Sequence, residues 1–115
     1  MHALYQCDAK GKCIYVNDKL CELFDLTRDQ ALNTGWMDRI HPEDRERVAL
    51  RRNDALAPVS TFHLRYRIMV RGAVKWVHAF STALMDGGVF AGRSGIVIEV
   101  EGPPHEAVDS DAGAA

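Results

Sequence analysis

From Thr61 onward the chain alternates apolar and polar residues with a period of two, in two stretches separated by Arg71 and Gly72. In "FHLRYRIMV", Phe62, Leu64, Tyr66 and Ile68 share one face, with His63, Arg65 and Arg67 on the other. In "AVKWVHAFSTALM", Val74, Trp76, His78 and Phe80 stand against Lys75, Val77, Ala79 and Ser81. No helix presents such a pattern on one face, so this half of the chain is expected to be an antiparallel hairpin. A three-residue loop with Gly72 left-handed keeps both apolar sets on one face; a two-residue loop would put them on opposite faces. The three-residue loop is the expectation. "DGG" at Asp86–Gly88 marks a further turn, and "SGIVIEV" a last strand.

The first half reads differently. "ALYQC" and "CIYV" flank "DAKGK", which suggests a hairpin from Ala3 to Val16. Leu20, Leu23 and Phe24 then recur at helical spacing behind Asn17 or Asp18 as N-cap. Thr27 to Gln30 has the form of a capping box, so a second short helix starts there and is expected to stop near Asn33–Gly35. A third begins at Pro42, where the missing N–H costs nothing, with Glu43 and Asp44 at the positive end of its dipole. Val48, Ala49, Ala55 and Leu56 give it an apolar face, and Pro58 ends it. Two strands, short helices, then three strands make an α+β fold with the helices gathered on one side of the sheet.

Composition narrows the function. The 115 residues suit one domain, expected over residues 1–101, with an acidic, proline-containing mobile tail over 102–115. The net charge of -2, without a basic block, argues against nucleic acid as partner. There is neither an apolar run of membrane-spanning length nor a signal peptide, so no membrane partner is expected. Cys7, Cys13 and Cys21 form no zinc-like spacing and read as reduced thiols of a cytoplasmic protein. No metal site is expected.

"IYVN" leading into "LCELFDLT", then "GWMDRIHPED", "YRIMVRGAVKWV" and "GIVIEV", in this order, resemble a PAS domain over Ala3 to about Glu101. The nearest variant carries Trp, Ile-His-Pro-Glu-Asp, Tyr-Arg and Trp-Val phrases. The resemblance implies a five-stranded antiparallel sheet with short helices packed on one face. It also implies a sensory and interaction module of a bacterial-type signalling protein, such as a histidine kinase of a two-component system. Any catalysis would then belong to an effector domain outside this chain, and the effector's type stays open. Family geometry, with strand alternation choosing the face, places Tyr5, Cys7, Trp36, Met37, Arg67, Val77 and Arg93 around a ligand cavity. An arginine there, Arg67 or Arg93, could meet a carboxylate in two-pronged fashion.

His41 beside Glu43 and Asp44 invites an acid–base reading, but it stands at a helix start with no nucleophile at a supporting spacing, so no catalytic residue is assigned. No cofactor is evident. Haem or flavin in a redox or gas sensor is the alternative. His63 is the histidine that could approach an interior cofactor, with His78 on the opposite face of the hairpin, and the stretch Gly35–Ile40 lacks the cysteine of flavin photosensors. In relatives the Trp of the "KWV" phrase faces away from the cavity, beneath an N-terminal helix; here only Met1 and His2 precede the first strand. Leu64, Tyr66, Ile68, Trp76, His78 and Phe80 are therefore expected to form a homodimer interface, centred on Trp76 and Tyr66.

Overall fold

The computed structural model describes residues 2–58 and 61–101. Strands β1 (Ala3–Asp8) and β2 (Cys13–Val16) are followed by helices α1 (Asp18–Phe24) and α2 (Arg28–Ala31). Two 3-10 turns, Gly35–Arg39 and Pro42–Asp44, lead into α3 (Arg45–Asp54), and β3 (Thr61–Val70), β4 (Ala73–Asp86) and β5 (Val89–Val100) complete the chain. The strands form one antiparallel sheet in the order β2-β1-β5-β4-β3, so the first hairpin inserts beside the last strand. This is the five-stranded α+β architecture that the sequence led us to expect. The expected tail, 102–115, lies outside the described residues.

Local chemistry explains the helical segment. The Asn17 side chain accepts from the Leu20 N–H at 3.0 Å, capping α1, and from the Leu4 N–H at 3.0 Å, so one side chain ties the helix to β1. The Thr27–Gln30 capping box forms in both directions. Helix α2 ends at Ala31, earlier than the Asn33–Gly35 stop expected, because Asn33 leaves it to pair with Cys13 at the start of β2. Gly35 instead opens the first 3-10 turn. A Cβ there would lie 1.8 Å from the Gln30 carbonyl oxygen, so close approach of two backbones requires glycine. The His41 side chain accepts from the Glu43 N–H at 3.1 Å and caps the second turn, with Pro42 at its first position. Of the apolar face expected on α3, Val48 is buried and Ala49 exposed.

The hairpin at Arg71–Gly72 corrects the expected loop. Val70 pairs with Ala73, so the loop has two residues, with φ of 52° at Arg71 and 78° at Gly72, the left-handed pair a type I′ turn needs. The pairing partners are thereby set: Tyr66 faces Val77, Leu64 faces Ala79 and Phe62 faces Ser81, whereas Arg67 faces Trp76, Arg65 faces His78 and His63 faces Phe80. Directly opposed residues share a face. The inner face of β4 therefore carries Val77, Ala79 and Ser81, and the set Val74, Trp76, His78, Phe80 lies outside. Phe62, Leu64, Tyr66, Ile68 and Val70 are all buried against the helical layer. With Val16, Leu20, Phe24, Ile40, Val48 and Val77 they make the core.

Candidate functional site

The inner face of the sheet and the helices enclose a cavity of about 100 Å³. Its wall is mostly apolar, including Val16, Leu20, Phe24, Val48, Leu64 and Val97. Of the residues expected there, Tyr5, Cys7, Trp36 and Arg93 line it. Met37 is half-buried against the core and Val77 fully buried within it, but neither reaches the cavity wall.

Arg67 does not face the cavity. Its place opposite Trp76 puts it on the outer face, where its guanidinium lies 5.4 Å from the Trp76 ring centroid. There it wraps the sheet edge to meet Asp44. The Asp44 carboxylate accepts from the Arg67 backbone N–H at 2.8 Å, from its Nε at 3.0 Å and from Nη2 at 2.6 Å. Glu43 adds a 3.3 Å contact, and neighbouring Ile40 and His41 pair with β3 at Ile68 and Arg67. Burial alone would push the Asp44 carboxyl up; the Arg67 hydrogen bonds and charge, helped by Arg47, more than offset this and hold it below the usual carboxylate range. What looked like a dipole-facing acid is thus the clamp that fastens the helical segment to the edge strand.

Arg93 is a buried cation on the cavity wall. It is 3% exposed, with Nε donating to Ser81 Oγ at 2.7 Å, Nη2 to the Ser81 carbonyl at 3.0 Å and Nη1 to the Ala57 carbonyl at 3.4 Å. Its guanidinium also lies 6.0 Å from the Phe62 ring centroid. Burial weakens its hold on its proton, with Tyr5 and Cys7 acting in the opposite sense. Tyr5 lies on the same wall; burial pushes its hydroxyl pKa up while a hydrogen bond with Ser81 acts against it. Ser81 escaped the sequence reading, yet the period-two register puts it on the inner face once the loop is two residues long. Gly95 makes room for Tyr5: a Cβ there would stand 2.7 Å from the phenol oxygen and 2.2 Å from the Phe80 carbonyl oxygen.

The outer face holds what was expected to be a single dimer patch, and it holds only half of it. Leu64, Tyr66 and Ile68 are buried on the inner side, so Tyr66 cannot sit at the centre of an interface. Trp76, His78 and Phe80 are outside, as the resemblance implied for the tryptophan, beside Leu4, Ile96 and Ile98 of β1 and β5. His63 and His78 are not on opposite faces either: His63 Nδ1 lies 2.9 Å from His78 Nε2, and Arg65 Nε donates to His78 Nδ1 at 2.9 Å. Arg65 can only donate, so neutral His78 carries its proton on Nε2, aimed at His63. A metal between the two rings would need that nitrogen's lone pair, which this arrangement occupies with a proton. Among the described residues no group of three or more His, Cys, Asp or Glu is placed to hold a metal.

The cavity fits neither alternative cofactor. Its volume is far below the ~300–1,000 Å³ of sites that enclose drug-sized ligands, so a flavin ring system has no room. No described histidine lines it, and His63, the histidine considered for an interior cofactor, faces away. No described helix is long and apolar enough to cross a membrane.

Comparison with known proteins agrees with this architecture. The family model described as PAS fold matches residues 13–96. No curated protein matches the chain. Among solved structures, the N-terminal domain of a diguanylate cyclase with PAS/PAC sensor from Marinobacter aquaeolei is 18% identical, with a TM-score of 0.73 over 86% of this chain and 94% of its own. A sensory box histidine kinase/response regulator from Burkholderia thailandensis is 24% identical, with a TM-score of 0.63 over 85% of this chain and 76% of its own. The PAS domain of Bordetella pertussis BvgS is 17% identical, with a TM-score of 0.69 over 88% and 78%. The chain belongs to the PAS family.

Proposed function

We propose that this module senses a small carboxylic acid in the cavity and reports its occupancy through the outer face of the sheet, where a second copy docks. The carrying observation is Arg93, a permanently charged guanidinium 3% exposed on a mostly apolar wall. A carboxylate could replace the long Ala57 contact at 3.4 Å and supply an anion in two-pronged geometry. The volume equals about three waters' share of liquid, which selects a short aliphatic acid over a large ligand.

The outer face supports the second half. Leu4, Val74 and Phe80 are exposed there, with Trp76, Ile96 and Ile98 partly so, and the helices pack on the other side. A two-fold contact between like faces covers such a patch on both copies at once. The centre of that contact moves from Tyr66 to Phe80 and Trp76.

Calorimetry with acetate, propionate and butyrate, and with propionamide as neutral control, tests the ligand. Arg93→Met should weaken carboxylate binding at least about tenfold, while Arg67→Ala should leave it unchanged. Equal affinity for propionate and propionamide would refute the carboxylate reading. Light scattering tests the partner: a dimer at micromolar concentration in the wild type, and a monomer for Trp76→Glu. A monomeric wild type overturns the second copy and leaves the ligand reading standing.

A further inference from the structure

Cys7 and Cys13 stand directly opposite each other in the β1–β2 ladder, beside the irregularity between Gln6 and Cys7. Both side chains line the cavity, and both are free thiols. Opposed residues of an antiparallel pair have Cα atoms about 4.5–5.5 Å apart, inside the ~4.4–6.8 Å range that a disulfide spans. The two thiols also interact. Cys13 holds the Cys7 proton in place, with burial raising that thiol further, and the Cys13 thiol is lowered in return. Cys13 Sγ also donates to the Tyr15 carbonyl at 3.6 Å, and whichever thiol of the pair ionises is the form that reacts. Arg52 adds positive charge beside Cys7 and bonds the Gly11 carbonyl of the connecting loop at 2.8 Å. Asp8, Gly11, Arg52 and Leu56 continue the cavity wall next to the pair.

We propose that Cys7 and Cys13 are a redox-active dithiol, oxidised by a hydroperoxide to a disulfide in the β1–β2 wall of the cavity. The thiolate of one member attacks the terminal peroxide oxygen, the O–O bond breaks, and the leaving alkoxide takes a proton to become an alcohol. The sulfur of the other member then attacks the resulting sulfenic acid, the S–S bond forms, and water leaves with that thiol's proton. Two thiols give up two electrons and two protons in total, and one hydroperoxide becomes one alcohol and one water. This chemistry is independent of the carboxylate reading, since it uses β1 and β2 and not Arg93. Cys21 lies on α1, away from the cavity wall, and serves as internal control.

The test treats the whole chain with a small molar excess of hydrogen peroxide, then alkylates it in denaturant and weighs it. One alkylated thiol should remain out of three, the protein should have lost two hydrogens, and a Cys7–Cys13 cross-linked peptide should appear and vanish with dithiothreitol. Cys21→Ser should still close the bond, and Cys13→Ser should leave Cys7 alkylatable. Three alkylatable thiols after peroxide, or oxidation confined to Cys21 or to bonds between chains, would overturn the proposal. A fold check by circular dichroism on each variant keeps misfolding from passing as a result.

Discussion

Replacing Asp44 by Asn tests whether the helical segment is held to the sheet by one buried carboxylate. The Asp44 side chain is 6% exposed and that of Arg67 24%. Three donors converge on it: the Arg67 N–H, Nε and Nη2, at 2.8, 3.0 and 2.6 Å. Asparagine keeps one acceptor oxygen, which can still serve the backbone N–H, but it turns an N–H₂ toward the guanidinium and removes the charge. Breaking a buried ion pair from one side costs about 3–5 kcal/mol. The lower end applies here, because Arg67 can rehydrate partly and keeps Glu43 at 3.3 Å. We expect a loss of about 3 kcal/mol, read as a lower urea midpoint at unchanged m-value. The pH dependence carries a sign. The folded carboxyl sits below its ordinary value, so its contribution is complete above the unfolded Asp pKa of about 3.9 and is lost as pH falls from there through the folded value. Asp44→Asn should lack that part of the acid slope. A loss under about 1 kcal/mol, the size of a helix-dipole effect alone, or an acid slope equal to that of the wild type, would refute the clamp.

Two further substitutions probe the sheet. Gly72→Ala meets nothing within 4 Å but must hold φ of 78°, so it should cost about 1 kcal/mol by backbone strain alone, read by urea denaturation. Gly95→Ala drives a methyl against the Phe80 carbonyl and the Tyr5 ring, and should cost about 1–3 kcal/mol while narrowing the cavity, which thermal melting and a crystal structure would both register.

Much of the architecture was written locally. Asn17, the Thr27–Gln30 box and Pro42 place the helix starts because caps act on backbone groups within a few residues, and alternation along Thr61–Val70 defines β3 and which of its side chains share a face. The β4 faces were another matter. Both of its alternating sets hold apolar residues, so the pattern does not choose between them, and the choice falls to the number of loop residues at Arg71–Gly72. Because the strand period is two, one loop residue more or less turns every β4 side chain over. That single count set Leu64, Tyr66 and Ile68 inward and Arg67 outward, left Trp76, His78 and Phe80 outside and Val77 inside, and brought His63 onto the face of His78. The arginines show the same limit. Arg65, Arg67 and Arg93 are alike in sequence terms, yet one meets an imidazole, one a buried carboxylate and one a serine on the cavity wall. Their partners are 13, 23 and 12 residues away along the chain. An alternating stretch says which side chains travel together; only cross-strand register says what they meet.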